Sequence, residues 1–315
     1  MTKLILSTGN IVSGGPSIIR KPGAYRSNLE FTNSLRSSFL AAQQDYAPDC
    51  EGDAIPPSRR ANGNGFHPDR PPASLWTARE AGTLYVPRID WSLAGLQEEP
   101  AQYTITVKLF FLPDTPVAER AHYAGEALDL VCKELGVDRV DLLVVSFPGM
   151  SFDGDCEWKA DKRNATQGCD DDEAATWPAV EELHRQGRVK DLGIAEFGSE
   201  KLGRFLQRVQ IRPTVNQINI KNCCNVPPPL VKLAKEQGID LLVHSDCTDI
   251  LSRGALRELL GQGLQGAGLL ADEESAEGLR GELTPQWVVK YTAVVRDRGV
   301  IENKGYFASA DLEEA

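Results

Sequence analysis

Two neighbouring thiols are the first residues whose types and spacing suggest chemistry. Cys223 and Cys224 are adjacent, and adjacent cysteines bridge each other only with strain, which leaves one of them free to pair across an interface. His244 and Cys247 follow some twenty residues later. With either thiol they would form a soft ligand set, but no Cys-x-x-Cys fixes the spacing, and no metal is expected. Lys108 lies inside the apolar run 104–111; an ammonium in such a run needs a partner of opposite charge. The acidic run Asp170-Asp171-Asp172 reads as a solvated loop. No Gly-x-Gly-x-x-Gly stands between a strand and a helix, and no Walker lysine loop is present, so nothing supports nucleotide cradling of the open-sheet kind.

These residues need elements to position them. The run 104–111 is β-rich, and Val117, Ala121, Ala124, Leu128, Val131 and Leu135 then recur at three and four residues, the stripe of a helix that also carries Cys132 on its apolar face. Runs 140–147, 192–197, 213–220 and 239–244 read as further strands. Trp177, Val180 and Leu183, then Leu202, Phe205, Leu206 and Val209, then residues 230–237 read as the helices between them, the last opened by Pro227-Pro228-Pro229. Near-continuous apolar strands alternating with helices predict a parallel sheet buried on both faces. With no nucleotide loop to favour an open sheet, the expected fold is a single α/β domain over 1–315, a (β/α)8 TIM barrel. Flexible insertions are expected at 47–73, rich in proline and glycine, at 153–175 and at 261–281.

The 315 residues suffice to bury one such core. A formal charge of −11, with no basic stripe carrying interleaved aromatics, argues against nucleic acid as a partner. No apolar run approaches the ~20 residues of a spanning helix, and Leu4-Ile5-Leu6 is too short for a secretory signal core; no membrane association and a cytoplasmic location are expected. Seven cysteines without regular spacing read as reduced thiols.

Over residues 103–305 the chain resembles the aldo-keto reductases. Thr106-Val107-Lys108-Leu109 is similar to that family's third strand with its catalytic lysine, Gly193-Ile194-Ala195-Glu196-Phe197 to its Gly-Val-Ser-Asn-Phe strand, and Val215-Asn216-Gln217 to its Asn-Gln strand. Ser245 resembles the serine of its Tyr-Ser-Pro strand, and Thr284-Pro285-Gln286-Trp287 through Arg298-Gly299-Val300-Ile301 its last helix and strand. Within the superfamily, Asn216-Gln217-Ile218-Asn219 followed by Cys223-Cys224-Asn225-Val226-Pro227-Pro228 closely resembles a segment of the regulatory (modifier) subunits of glutamate-cysteine ligase. Thr8-Gly9-Asn10, Lys108-Leu109-Phe110 and Lys304-Gly305-Tyr306 resemble further stretches of that family.

The departures from the reductase pattern carry most of the functional reading. No Asp-x4-Tyr precedes Lys108, the nearest imitation being Glu80 to Tyr85; Ser146 stands at the histidine position, Ala195-Glu196 at the Ser-Asn pair that holds a nicotinamide carboxamide, and His244 at the stacking tyrosine. Lys108 and Gln217 are vestiges of the catalytic and nicotinamide sites, and the C-terminal clamp on the adenosine phosphate is expected to be short or missing. The resemblance therefore implies no cofactor and no catalysis. It implies instead a partner of the glutamate-cysteine ligase catalytic subunit, in a heterodimer that raises ligase efficiency and relieves feedback inhibition by glutathione. Cys223 or Cys224 is the candidate redox contact; the alternative is an NADPH-dependent reductase with an atypical site. Within the barrel mouth, Lys108 is expected to pair with Glu196, both at the ends of odd-numbered strands.

Overall fold

The structure is a computed structural model that describes residues 2–13, 26–46, 70–219, 225–272 and 278–313. It opens with β1 (Thr2–Ser7), α1 (Ser27–Asp45), α2 (Ala73–Trp76), β2 (Ala78–Glu80) and β3 (Thr83–Val86). A regular alternation follows: β4 (Tyr103–Phe111), α3 (Arg120–Leu135), β5 (Val140–Ser146), α4 (Glu157–Asn164), α5 (Asp170–Arg185), β6 (Val189–Ala195), α6 (Ser199–Leu206), β7 (Val215–Asn219), α7 (Pro228–Gln237) and β8 (Asp240–His244). The described chain closes with α8 (Arg253–Leu260), β9 (Glu282–Val295) and β10 (Val300–Glu313).

Strands β4 to β8 pair in sequence order and all in parallel, as the apolar runs predict. Successive side chains of β4 point to opposite faces. Tyr103, Ile105, Val107, Leu109 and Phe111 therefore join the helix-side core, while Lys108 and Phe110 face the other way. Helix α3 covers the first side with Tyr123, Ala124, Ala127, Leu128, Val131 and Leu135. Burial of each large member of that stripe contributes about 1.5–3 kcal/mol. The helix stops at Gly136, whose φ of 64° is the left-handed C-cap that glycine adopts without a Cβ clash.

The sheet curls in the manner of a barrel wall. Four strand spacings separate β4 from β8, about 19 Å across a flat sheet, yet Lys108 on β4 reaches Asp246 just beyond β8 at 3.0 Å. The α/β class and the barrel-type arrangement thus stand.

The C-terminal segment departs from expectation. Thr284–Trp287 begins a strand rather than the last helix, because Val288, Val289, Thr292, Val294 and Val295 supply β-branched residues in quick succession, and these pack poorly on a helix. β9 and β10 form a long antiparallel hairpin turned at Gly299. It enters the sheet between β1 and β4, giving the order β2-β3-β1-β10-β9-β4-β5-β6-β7-β8.

Of the expected insertions, residues 47–69 and 273–277 lie outside the described residues. Segment 153–175 carries α4 and the first turn of α5. The acidic run forms that first turn, where negative charge meets the positive end of the helix dipole, and Asp170 binds Lys201 at 2.7 Å and Arg204 at 2.6 Å. In 261–281, Ala267, Leu269 and Leu270 are buried beneath α1 and α8 residues.

Thr8-Gly9-Asn10 and Lys304-Gly305-Tyr306, almost three hundred residues apart, form one corner. Thr8 N donates to Tyr306 O at 3.1 Å, Ile11 N to Lys304 O at 2.8 Å, and Lys304 N to Asn10 Oδ1 at 3.2 Å. A Cβ on Gly305 would collide with Gly9 O and with the Tyr291 hydroxyl, so the close approach of the two segments requires glycine there.

Candidate functional site

The charged cluster is built from the middle of β4 and β9, where Lys108 and Lys290 pair in register, and from the ends of β6 and β8. Lys108 is 4% exposed, and its ammonium sits 5.2 Å from the centroid of the Phe110 ring. It donates to Asp246 Oδ2 at 3.0 Å. The other carboxylate oxygen, Asp246 Oδ1, accepts from Lys290 at 2.8 Å. Asp246 is 7% exposed, and Asn219 Nδ2 fixes its backbone by donating to its carbonyl at 2.9 Å.

Burial acts on both partners. It pushes the Lys108 ammonium below the usual lysine range, against the opposing pull of Asp246 and Glu196. It would raise the Asp246 carboxyl, but the charges of Lys108 and Lys290, with a hydrogen bond from Lys290, outweigh it and hold that carboxyl well below the ordinary carboxylate range.

His244 connects this pair to Glu196. Its Nδ1 accepts the Asp246 backbone N–H at 3.0 Å and lies 3.4 Å from Lys108 Nζ, which leaves the proton of a neutral ring on Nε2. Nε2 stands 2.7 Å from Glu196 Oε1, off the line of a hydrogen bond. Glu196 is 2% exposed and adopts φ +64°, a left-handed conformation that costs a non-glycine residue about 1–3 kcal/mol. Three contacts hold it there: its N–H donates to Gln217 O at 2.8 Å, Asn164 Nδ2 donates to its carbonyl at 2.7 Å, and Asn219 N reaches its Oε2 at 3.4 Å. Asn164 belongs to α4, so segment 153–175 serves as the clamp on this loop. A Cβ at Gly198 would collide with Asp161 Oδ1 on the same helix.

The expected Lys108–Glu196 ion pair is therefore corrected. Lys108 takes Asp246 as its salt-bridge partner, and the His244 ring stands between it and Glu196. The lysine has the counter-charge it needs, supplied from the end of β8 instead of β6. Asp246 and Lys290 are the residues that sequence reasoning missed. Asp246 stands at the proline of the Tyr-Ser-Pro match, an acid next to a recognised strand end, and this was the available signal. Lys290 was hidden because its segment reads as a helix.

Of the other expected site residues, Ser146 and Gln217 adjoin the cluster. Ser146 is buried at the end of β5, in register with Phe110. Gln217 sits on β7 with its Oε1 buried and without a hydrogen-bond partner. Cys223 and Cys224 lie outside the described residues. Cys247 Sγ is 3.3 Å from Asn28 Oδ1, and among the described residues no group of three or more His, Cys, Asp or Glu side chains is placed to hold a metal ion.

Among the described residues no phenol touches Lys108. Lys108 activates a phenol only if its charge is directed at one, and its contacts among the described residues are Asp246, His244 and the Phe110 ring. Tyr306, a buried phenol on β10 directly across from Lys290, donates to Glu30 at 2.5 Å, and burial with the charges of Glu30 and Asp246 raises it well above the tyrosine range.

A nicotinamide carboxamide needs both a donor and acceptors. The Gln217 amide offers both and the Glu196 carboxylate offers acceptors, while the negative charge of Glu196 opposes the cofactor's phosphates.

The model of the aldo/keto reductase family matches residues 91–299. The chain belongs to that family. It is 26% identical to the human (Homo sapiens) glutamate–cysteine ligase regulatory subunit over 68% of this chain and 68% of that protein. It is 28% identical to the putative glutamate–cysteine ligase regulatory subunit of Schizosaccharomyces pombe over 70% of this chain and 75% of that protein. Among solved structures, the Bombyx mori aldo-keto reductase in complex with NADP is 24% identical, with a TM-score of 0.32 over 44% of this chain and 40% of that one. Among the described residues no helix is long and apolar enough to cross a membrane.

Proposed function

We propose that this chain is a non-catalytic regulatory partner of a glutamate-cysteine ligase catalytic subunit, acting in the cytoplasm as a heterodimer that raises ligase efficiency and relieves inhibition by glutathione. The observation that carries the reading is the locked lysine. The vestigial catalytic group Lys108 is neutralised by Asp246, and the neighbouring phenol of Tyr306 is bound to Glu30 and not to the lysine, while two relatives matched over two thirds of the chain bear the regulatory-subunit name. The joining of Thr8-Gly9-Asn10 to Lys304-Gly305-Tyr306 adds support, since both segments resemble that family and they build one corner of this fold.

Binding is tested by gel filtration. Mixed at micromolar concentration with a catalytic subunit from the same source, the chain co-elutes with it as one peak; two separate peaks reject the partnership. Mild oxidation with diamide then adds a reductant-sensitive heterodimer band on a denaturing gel, through Cys223 or Cys224. In the reducing cytosol such a bond is conditional. The same band in a Cys223→Ser, Cys224→Ser double variant would remove these residues from the interface.

One observation favours the second reading, an NADPH-dependent reductase with an atypical site: the unpartnered Gln217 Oε1 is an acceptor that a carboxamide could fill. The two readings separate on turnover. The purified chain is expected to consume NADPH with a panel of aldehydes no faster than buffer, because Lys108 is held by Asp246 and, among the described residues, touches no phenol that could protonate a forming alkoxide. Turnover that disappears in Lys108→Met would establish the reductase instead.

A further inference from the structure

We propose that the cleft between the loop 93–97, the end of α3 and the start of β10 is a binding site for a small organic ammonium. The cleft has a volume of about 240 Å³ and is lined by Gly95, Gln97, Glu134, Glu302, Asn303 and Asn10 among others. It lies outside the Lys108 cluster and owes nothing to it.

The wall of the cleft is shaped by an irregularity in β10. Ile301 pairs with Val294 and Asn303 with Ala293, so Glu302 is an extra residue in the strand, a β-bulge. In a regular strand Glu302 and Asn303 would point to opposite faces. The bulge lets both line the same cleft, and the Tyr103 hydroxyl positions Glu302 by donating to its carboxylate. Facing them is Glu134, in the last turn of α3, whose Oε1 accepts from the Tyr291 hydroxyl at 3.4 Å.

The two carboxylates and the Asn303 amide of this lining call for positive charge. Neither Glu134 nor Glu302 has an ion-pair partner among the described residues, and the cations around them are committed elsewhere. Arg298 binds Glu98, Lys304 binds Glu30, and Lys133 lies over the Trp91 ring. Burial raises the Glu134 carboxyl above its ordinary value, a cost that an incoming cation removes. Asn303 is 8% exposed, and its Oδ1 is buried without a hydrogen-bond partner; a buried acceptor left unsatisfied costs about 1–3 kcal/mol. The cleft also abuts the C-terminus of a sixteen-residue helix, the negative end of its dipole.

An alkylammonium carries three donors, and the cleft offers three acceptors: the two carboxylates and Asn303 Oδ1. The volume exceeds that of a bare ion, since a water takes about 30 Å³, and no three-carboxylate, histidine or cysteine set for a metal is present among the described residues.

The test is calorimetric titration of the full chain with n-butylammonium chloride, beside n-butanol, sodium butyrate, potassium chloride and magnesium chloride. Charge-assisted hydrogen bonds to half-buried carboxylates predict binding of butylammonium at least about tenfold tighter than butanol, with butyrate silent. The Glu134→Gln, Glu302→Gln double variant keeps an acceptor for each tyrosine hydroxyl and is expected to lose about tenfold or more in affinity for butylammonium. Equal affinity for butylammonium and butanol overturns the proposal, as does undiminished binding by the double variant or stoichiometric displacement by potassium or magnesium. The ammonium-to-alcohol ratio on the unmutated chain decides the matter even if the double variant does not fold.

Discussion

Replacing Asp246 with Asn destabilises the folded chain by about 3–5 kcal/mol, the cost of leaving a buried charge without its partner. The effect is large because Asp246 serves two ammonium groups at once, Lys108 at 3.0 Å and Lys290 at 2.8 Å. Lys290 is partly exposed and can turn to water; Lys108 is enclosed. The double variant Asp246→Asn, Lys108→Met should therefore recover most of the loss, because the cation that needed the carboxylate is gone. Chemical denaturation of the unmutated chain and the two variants at pH 7 reads this directly. If the double variant is no more stable than Asp246→Asn, the penalty lies in the loop and not in the charge.

The same pair sets a pH dependence on both sides of neutrality. The folded Asp246 carboxyl titrates well below its unfolded value of about 3.9. Its contribution is thus fully present above pH ~4 and is lost as the pH falls through the folded value. The Lys108 ammonium is shifted the other way, below its unfolded value of about 10.4. The penalty for burying it is present at neutral pH and is relieved as the pH rises from the folded value toward the unfolded one. Asp246→Asn removes the first of these dependences, so its stability should fall less steeply between pH 4 and pH 2 than that of the unmutated chain.

How much of this was legible beforehand depended on whether the information was local. The parallel run β4 to β8 was, because continuous apolar strands and a three-and-four helix stripe are written in adjacent residues. The hairpin β9–β10 was less so: the short apolar run Trp287-Val288-Val289 does not by its period separate a buried helix from a buried strand, the β-branched residues after it lean to the strand, and pairing with β1 and β4 completes it. Lys108 was visible as a charge in need of a partner, while the identity of that partner depended on curvature that brings β8 round to β4. Glu196 was singled out for the right loop and the wrong contact. Asn164, which clamps that loop, sits in a segment whose acidic neighbourhood reads as solvated and whose role emerges only when α4 packs across Glu196-Phe197-Gly198.

The regulatory reading is tested most directly by the kinetics of the ligase itself. Titrating this chain into a fixed amount of glutamate-cysteine ligase catalytic subunit should raise catalytic efficiency in a saturable way. A regulator acts only through different affinities for the conformations of its target, and coupling of the usual 1–3 kcal/mol corresponds to changes of about 5-fold or more. If glutathione reads the same equilibrium, its inhibition constant should rise over the same range of added chain, and Lys108→Met combined with Asp246→Asn should leave both effects intact, because the locked cluster has no part in ligase chemistry. Saturable activation with parallel loss of glutathione inhibition is the predicted result; a ligase whose rate and inhibition stay constant up to a large excess of this chain would contradict it.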